Sequence, residues 1–382
     1  MSNPIPHIPM EEPTLLYHPG VFMIEDDYEI ILICRRPALA SVVVDGLTFT
    51  DNNNGVMRTD TEVHKIKVPM VLLDKAKAYR VHLAPLADHC NYYPKPEPTE
   101  AYEYRFTPVP AEDKVEVFVL ADTHGDVVAP AQAALSRPHL DLLMLVGDIG
   151  DSAATREQVI TLHRLTAEIT GGQFPALYIR GNHDTRGYMA EKLTDYIPTR
   201  DGKTYYTFRA GEIWGVVLDC GEDKPDTNVE YGDPQYGGVA NFLPFRHAQT
   251  AYLRALAAQG ASKADGIKHR IAVCHINFTY TDRPYNDRNP EIYEAWITAL
   301  NELGVDLLVC GHHHVVGEQP PELYKGDADP RFNTLLTAAR QDHPLPFKGG
   351  HKPGEYTGTA LTFDEGGISR VFVNHLGESL DF

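Results

Sequence analysis

Residues 115–124, VEVFVLADTH, and residues 142–151, LLMLVGDIGD, each join an apolar run to acidic or histidine residues. Three later segments repeat this arrangement: ALYIRGNHD at 176–184, IAVCH at 271–275 and DLLVCGHHH at 306–314. Short apolar runs bounded by glycine and polar residues are typical of buried strands. Because ligands of an open α/β sheet gather outside the carboxyl ends of its strands, we expect the five segments to form one polar cluster at one sheet edge.

The composition is that of a globular protein with room for two domains, since 382 residues are 43% hydrophobic and 23% charged. No apolar run approaches the roughly 20 residues that a membrane-spanning helix needs, and the amino terminus lacks the basic start and apolar core of a secretory signal. We therefore expect a cytoplasmic protein without a membrane partner. The five cysteines are odd in number and widely spaced, which favours buried reduced thiols over disulfides or a cysteine zinc site.

The formal net charge of −19 restricts the partners of the protein. Proteins bind DNA and RNA largely through lysine and arginine side chains that neutralise phosphates, so we expect no long nucleic acid as a partner. A small phosphorylated substrate is compatible with the charge, because bound metal cations would reverse the local field. The sequence leaves the oligomeric state open.

Two patterns of secondary structure divide the chain near residue 110. Residues 1–110 carry short β-type runs, among them YEIILIC, ASVVVDG, HKIKVPMVLL, AYRVHLA and AYEYRFTP, which predict a β-sandwich of the immunoglobulin or fibronectin type. Residues 111–382 alternate apolar strands with helical periodicity, which predicts a layered α/β domain. Helices are predicted within 127–138, 152–172, 245–259 and 290–303, and β-hairpins within 205–220 and 359–374. His163 lies in the second helical segment, where we expect a structural role.

The polar residues of the five segments suit the hydrolysis of a phosphate ester. That reaction needs a nucleophile at neutral pH and neutralisation of developing charge. Two metal ions about 3.5–4 Å apart supply both, by activating a bridging water and by binding phosphoryl oxygens. A carboxylate that bridges both ions should stand near the centre of the cluster, and Asp148 fits this position. Mixed Asp, Asn and His ligands suit Mn, Fe, Zn or Ni and disfavour a calcium site.

The five segments occur in the order typical of the calcineurin-like metallophosphoesterase superfamily, which the chain resembles over residues 115–316. The resemblance implies an α/β fold of four layers, in which a β-sheet sandwich is flanked by helices. In this chain the all-β sandwich domain comes before that fold. It also implies two metal ions bridged by Asp148. The first ion would be held by Asp122, His124 and His314, and the second by Asn182, His275 and His312.

The resemblance gives His183 a catalytic role: it would assist the leaving group while a bridging hydroxide attacks phosphorus. Asp151 would accept a hydrogen bond from His183 and favour its charged form. Taken singly, the aspartates also suit helix N-caps and His275 suits a packed core, whereas their order along the chain favours ligands. His313 is predicted to face away from the metals or to touch substrate, and Asp184 to support its loop or stabilise a turn.

One position separates the chain from purple acid phosphatases, whose layout of a sandwich before a catalytic domain it resembles. Those enzymes carry a tyrosine three residues after the bridging aspartate, whereas this chain has Asp151. The motif therefore offers no tyrosinate ligand for iron, and we expect a colourless or pale protein.

Substrate identity is the property on which the sequence is least informative. GNHD with GHxH resembles small phosphodiesterases of the superfamily, which slightly favours a phosphodiester over a phosphomonoester. Specificity should lie in two loops, 222–244 and 277–290. In the second loop, Arg283 and Arg288 are candidates for phosphate contacts, and Tyr280 or Tyr285 for stacking on a base. The alternative for all four is that they are solvated loop residues. The competing functions are a binding or scaffold module with a relict metal site and a nuclease, which the acidic charge disfavours.

Overall fold

The protein is represented by a computed structural model, which describes residues 12–89, 93–112, 114–224, 229–230, 233–279, 290–340 and 356–380. The strands before residue 112 are β1 (Gly20–Ile24), β2 (Asp27–Ile33), β3 (Ala38–Val44), β4 (Leu47–Thr50), β5 (Asn52–Asn53), β6 (Val56–Met57), β7 (Val63–Pro69), β8 (Ala78–His89), β9 (Pro94–Pro96) and β10 (Glu100–Arg105). The later strands are β11 (Val115–Leu120), β12 (Leu142–Val146), β13 (Ala176–Ile179), β14 (Tyr206–Ala210), β15 (Ile213–Leu218), β16 (Val229–Glu230), β17 (Asp233–Pro234), β18 (His269–Cys274), β19 (Leu307–Cys310), β20 (Val316–Gln319), β21 (Asn333–Thr337), β22 (Ala339–Arg340), β23 (Tyr356–Asp364), β24 (Gly367–Asn374) and β25 (Ser379–Leu380).

The described residues form fewer helices than strands. The α-helices are α1 (Met70–Ala76), α2 (Val128–Leu135), α3 (Arg156–Val159), α4 (Thr161–Thr170), α5 (Leu243–Gln259) and α6 (Pro290–Leu303). Short 3₁₀ segments occur at His183–Thr185, Ala190–Asp195, Gln235–Gly238, Ala261–Lys263 and Pro321–Leu323. No helix within the described ranges combines the length and apolar character that a membrane crossing requires.

The larger of two central sheets has the order β25-β24-β23-β11-β12-β13-β1-β2-β7, and β22 pairs with β23. Strands β11, β12 and β13 run parallel to one another. They are almost completely buried, as expected for near-continuous apolar sequences in a sheet that is covered on both faces. This sheet places the first three predicted ligand segments side by side.

The smaller sheet has the order β14-β15-β18-β19-β21-β20 and carries the last two ligand segments after β18 and β19. Successive side chains of a strand point to opposite faces. On β18, Ile271 and Val273 therefore join the core between the two sheets, while Ala272 and Cys274 pack beneath α5 and α6. Helices α2 and α4 contact the larger sheet, so the predicted four layers, helix, sheet, sheet and helix, are confirmed.

The expectation of a single sheet edge is wrong, because the five ligand segments come from two facing sheets. Three follow β11, β12 and β13 of the larger sheet, and two follow β18 and β19 of the smaller one. A run of buried apolar residues marks a strand but does not say which sheet it joins. The cluster is therefore assembled across the gap between the sheets.

The described strands before residue 112 divide among three sheets. Strand β1 pairs with β13 in parallel through Phe22 and Ala176, so β1, β2 and β7 extend the larger sheet. Strands β3, β4, β8, β9 and β10 form a separate sheet of order β10-β8-β3-β4, with β9 on β8, and β5 pairs with β6 in a two-stranded sheet. The ring of Tyr28 on β2 packs against that of Phe106, with centroids 5.1 Å apart. Hydrogen bonds of the larger sheet thus join strands from both sides of residue 110. The domain boundary at that residue stays a prediction.

Two further sequence-based expectations meet different outcomes. The run HKIKVPMVLL is not one strand: β7 ends at Pro69 and α1 begins at Met70, since proline lacks the N–H that a continued ladder needs. The four described cysteines are buried free thiols, as predicted, and Cys90 lies outside the described residues. They are Cys34, Cys220, Cys274 and Cys310.

Candidate metal centre

The loops that follow the five strands hold an unusual backbone conformation. Of the eleven described non-glycine residues with positive φ, five are predicted metal ligands, with φ between 46° and 70°. These five are Asp122, His124, Asp148, His312 and His314. A non-glycine residue in this region costs of order 1–3 kcal/mol, and such residues cluster at functional sites. The concentration of strain at these strand ends therefore supports a site that depends on the placement of these side chains.

Two glycines allow the loops to approach one another closely. A Cβ atom on Gly181 would lie 2.1 Å from Oδ1 of Asp148. A Cβ atom on Gly311 would lie 2.7 Å from the Cβ of Ala121 and 2.8 Å from Oδ2 of Asp122. All three distances are far below van der Waals contact, so only glycine lets these segments meet.

The first predicted ligand group is assembled in the structure. Nε2 of His124 and Nε2 of His314 lie 3.1 Å apart, and Oδ1 of Asp122 lies 3.4 Å from Nε2 of His314. Oδ2 of Asp122 accepts a hydrogen bond from the His312 amide at 2.8 Å, whereas Oδ1 is buried without a hydrogen-bond partner among the described residues. A cation held between this oxygen and the two facing imidazole nitrogens satisfies all three atoms, so the group fits a metal ion.

The second ligand group also comes together. Nε2 of His275 lies 3.1 Å from Oδ2 of Asp148 and 3.1 Å from Oδ1 of Asn182, and Nδ1 of His312 lies 3.0 Å from the same Asn182 oxygen. Nδ1 of His275 donates to the Val146 carbonyl oxygen at 2.6 Å. This bond directs the other ring nitrogen toward the carboxylate and amide, as metal-ligating histidines require.

The electrostatics of the two groups favour positive charge at their centre. Burial raises the pKa of the Asp148 carboxyl, but His275, His183 and His124 outweigh burial and hold the pKa below its usual range. Burial lowers the pKa of His275, yet Asp148 and Asp122 raise it to about 10. Burial holds the pKa of His124 below its ordinary value and that of His312 well below it. These two imidazoles are therefore neutral and keep a lone pair for a metal.

His183 is oriented by main-chain groups. Its amide donates to Oδ1 of Asp148 at 2.9 Å, and its ring Nδ1 donates to the carbonyl oxygen of Asp151 at 2.7 Å. The expected bond to the Asp151 carboxylate is therefore wrong: this side chain is 67% exposed and reaches toward Nδ1 of His124 at 3.5 Å. Because a carbonyl oxygen only accepts, Nδ1 carries a proton and Nε2 is the atom left to act on a substrate.

Asp184 supports the loop, as one of the two sequence-based interpretations proposed. Its Oδ2 accepts from the Gly181 amide at 2.8 Å and from the Tyr178 hydroxyl at 2.7 Å. The Asp148 amide also approaches this oxygen at 3.3 Å. His313, which follows His312 in the chain, is buried, and its ring contacts that of His312 with centroids 5.3 Å apart.

One residue close to the second group was missed by the sequence analysis. Asp223 accepts a hydrogen bond from Nδ2 of Asn182 at 3.3 Å, and its Oδ2 lies 3.7 Å from Nε2 of His312. Nη2 of Arg186 donates to Asp223 at 2.6 Å, and Arg186 also pairs with Glu222. The signal was present, since GED at 221–223 follows the apolar strand β15 as the other ligand segments follow theirs.

The two predicted specificity loops are described only in part. Glu222 and Asp223 begin the first loop, and the Tyr236 hydroxyl within it donates to Glu222 at 3.0 Å. In the second loop, Tyr280, Arg283, Tyr285 and Arg288 lie outside the described residues.

Comparison with known proteins gives a consistent result. The family model described as calcineurin-like phosphoesterase matches residues 115–316. No curated protein sequence matches the chain. Among solved structures, a purple acid phosphatase, PPD1, from yellow lupin (Lupinus luteus) seeds is similar with a TM-score of 0.62 at 12% identity, covering 95% of this chain and 73% of that chain. The structure of PhoD is similar with a TM-score of 0.51 at 12% identity, covering 96% of this chain and 93% of that chain. At these identities the likeness establishes the shared fold.

Proposed function

The chain belongs to the calcineurin-like phosphoesterase family, and on that premise we propose that it hydrolyses phosphoric esters with two transition-metal ions. One observation carries the proposal: the loops bring two separate ligand clusters together in one site. In each cluster the potential ligand atoms lie within 4.8 Å of one another. The clusters are Asp122, His124 and His314, and Asp148, His275 and His312.

Each ion would have a protein ligand set of mixed Asp, Asn and His. Asp122, His124 and His314 would hold the first, and Asn182, His275 and His312 the second, with Asp148 between them. When bound, such ions supply an activated water and neutralise charge on the phosphoryl group. The mixed donor set suits Mn, Fe, Zn or Ni. The unpaired Asp122 oxygen and the facing histidine nitrogens described above support this assignment.

His183 is the residue proposed to act on the leaving group. The hydrogen bond from its main-chain N–H to Asp148 places it beside the central carboxylate, and its partial exposure makes it accessible to a substrate. The Asp151 carbonyl oxygen holds the ring through Nδ1. Nε2, when protonated, would donate its proton to the departing oxygen, which is general acid catalysis.

The substrate is proposed to be a small phosphorylated molecule, with a phosphodiester slightly favoured over a phosphomonoester. The net charge of −19 supports a small substrate, because such a surface repels a long polyanion. Acidic charge also reaches the site itself, where Asp223 approaches Asn182 and His312 of the second ligand group.

Hydrolysis of a chromogenic phosphodiester and of its monoester, with Mn²⁺ added, tests the proposed function. We expect turnover that is lost with a chelator and restored when Mn²⁺ is supplied in excess, and a higher kcat/KM for the diester. A monoester preference would overturn the diester assignment alone. Turnover that survives exhaustive chelation, or no turnover of either ester by metal-loaded protein, would contradict the proposal.

A further inference from the structure

Asp223 lies at the end of a main-chain segment that the buried guanidinium of Arg246 holds in place. Arg246 of α5 has no solvent exposure. Its guanidinium donates to the carbonyl oxygens of Cys220 at 2.9 Å and Glu222 at 2.7 Å, and the neighbouring Gln249 donates to Asp219 at 2.6 Å. Side chains of α5 therefore hold the main chain that leads from β15 to Asp223 at residues 219, 220 and 222.

The Asp223 carboxylate faces the outer side of two residues assigned to the second metal. Oδ1 accepts from Nδ2 of Asn182 at 3.3 Å, and Oδ2 lies 3.7 Å from Nε2 of His312. On their other sides, Oδ1 of Asn182 and Nδ1 of His312 approach each other at 3.0 Å. One carboxylate thus contacts the outer nitrogens, while the inner oxygen and nitrogen converge on the ligand cluster.

This arrangement settles two chemical choices at once. An asparagine amide has an oxygen at one end and an NH₂ group at the other, and a cation is bound only by the oxygen. A neutral imidazole carries its proton on one nitrogen, and a carboxylate beside Nε2 favours the proton there. In both ways Asp223 directs a lone pair toward the ligand cluster, on Oδ1 of Asn182 and on Nδ1 of His312.

We propose that Asp223 is a positioning residue for the second metal ion, which fixes the amide orientation of Asn182 and the tautomer of His312. The inference rests on the proposed two-metal function and adds a residue to it. Asp223 would not touch the ion itself; it would raise the affinity of the second site by holding two ligands in their binding form.

Arg186 holds the carboxylate in this position. Its Nη2 donates to Asp223 at 2.6 Å, and its Nε donates to Glu222 at 2.8 Å. Burial and the charge of Glu222 raise the pKa of Asp223 to about 7, and the Arg186 guanidinium opposes that shift by favouring the carboxylate. The Arg186 side chain therefore links the GNHD loop to the segment that carries Asp223.

The test is Mn²⁺ binding by the full-length chain after metal removal, measured by isothermal titration for wild type, Asp223→Asn and Asp223→Ala. We expect the second ion to be lost or its Kd to rise about 10- to 100-fold in both variants, as is typical of residues that orient metal ligands. The first ion should bind with an unchanged Kd. Asp223→Asn is nearly isosteric, so it separates loss of the carboxylate from loss of packing.

Tyr236→Phe is the matched control, because it removes a hydrogen bond to Glu222 from the same loop without altering Asp223. Its two Mn²⁺ affinities should equal those of the wild type. A second readout is the visible absorption of the protein saturated with Co²⁺, which depends on ligand geometry. The bands should shift in Asp223→Asn and not in Tyr236→Phe.

Equal affinities in wild type and Asp223→Asn, with identical Co²⁺ spectra, would overturn the inference. Equal weakening of both ions in Asp223→Asn would also overturn it, since that result indicates a role in the whole site. A wild-type chain that binds fewer than two ions would overturn the proposed function and this inference together.

Discussion

Nδ1 of His183 lies 2.7 Å from the main-chain carbonyl oxygen of Asp151. The backbone therefore orients the ring, while the Asp151 side chain points toward solvent and toward His124. Since the carbonyl oxygen belongs to every residue type, the hydrogen bond does not depend on the side chain at position 151. This relationship separates the contributions of the two residues.

His183→Ala should lower kcat by about 10²–10⁴-fold, the usual contribution of a general acid, and leave two metal ions bound. Asp151→Ala is the matched comparison, because it keeps the carbonyl oxygen, and its loss of kcat should be much smaller. Steady-state kinetics and elemental analysis of both variants check this. Loss of metal from His183→Ala, or an equal loss of kcat in Asp151→Ala, would contradict the assigned roles.

Asp148→Asn should deplete both ions, because the carboxylate is proposed to lie between them and its Oδ2 already faces His275 at 3.1 Å. An amide lacks the negative charge that balances two cations. Metal content after dialysis against buffered Mn²⁺ gives the result directly. Retention of two ions per chain would show that Asp148 does not bridge them.

The iron-loaded protein should show no strong visible charge-transfer band, since position 151 offers a carboxylate where purple acid phosphatases have a tyrosine. An absorption spectrum of protein loaded with Fe³⁺ and Zn²⁺ tests this expectation. An intense band in the visible region would mean that a tyrosinate from elsewhere in the chain reaches the metal.

Much of the site was predictable because strand sequences and strand ends carry strong local signals. The apolar runs before Asp122, Asp148, Asn182, His275 and His312 are buried strands. In β18 and β19, successive side chains alternate between the core that lies between the sheets and the core beneath α5 and α6. The sequence could not show that these strands belong to two sheets, since burial alone does not specify a partner strand.

The errors concern contacts made by the backbone and by residues outside the recognised segments. A sequence does not reveal that the Asp151 carbonyl oxygen, and not its carboxylate, accepts from His183. Asp223 was missed because it lies five residues beyond the end of β15, in a segment interpreted as a loop. The pairing of β1 with β13 through Phe22 and Ala176 was likewise not visible in the sequence, because a strand does not name its partner.

His163 should make stability depend on pH. Burial lowers its pKa to about 4 from an ordinary 6.5, and Nε2 donates to the Tyr196 carbonyl oxygen at 2.7 Å. The unfolded chain therefore binds a proton that the native protein does not bind between pH 6.5 and 4. The free energy of unfolding is therefore highest above pH 6.5 and decreases as the pH falls toward 4, by about 3 kcal/mol at most.

Urea unfolding of wild type and His163→Gln at pH 7 and pH 4.5 checks this expectation. Glutamine keeps a donor for Tyr196 but does not titrate, so the variant should lose less stability than the wild type over this interval. An identical pH dependence in the two proteins would show that His163 is not a buried neutral group.

Anomalous diffraction from crystals soaked in Mn²⁺ tests the central claim most directly, because it locates each ion independently of activity. We predict two peaks per chain on either side of Asp148, one beside Asp122, His124 and His314, and the other beside Asn182, His275 and His312. A single peak, or peaks away from these side chains at saturating Mn²⁺, would contradict a two-metal phosphoesterase site built from the five strand ends.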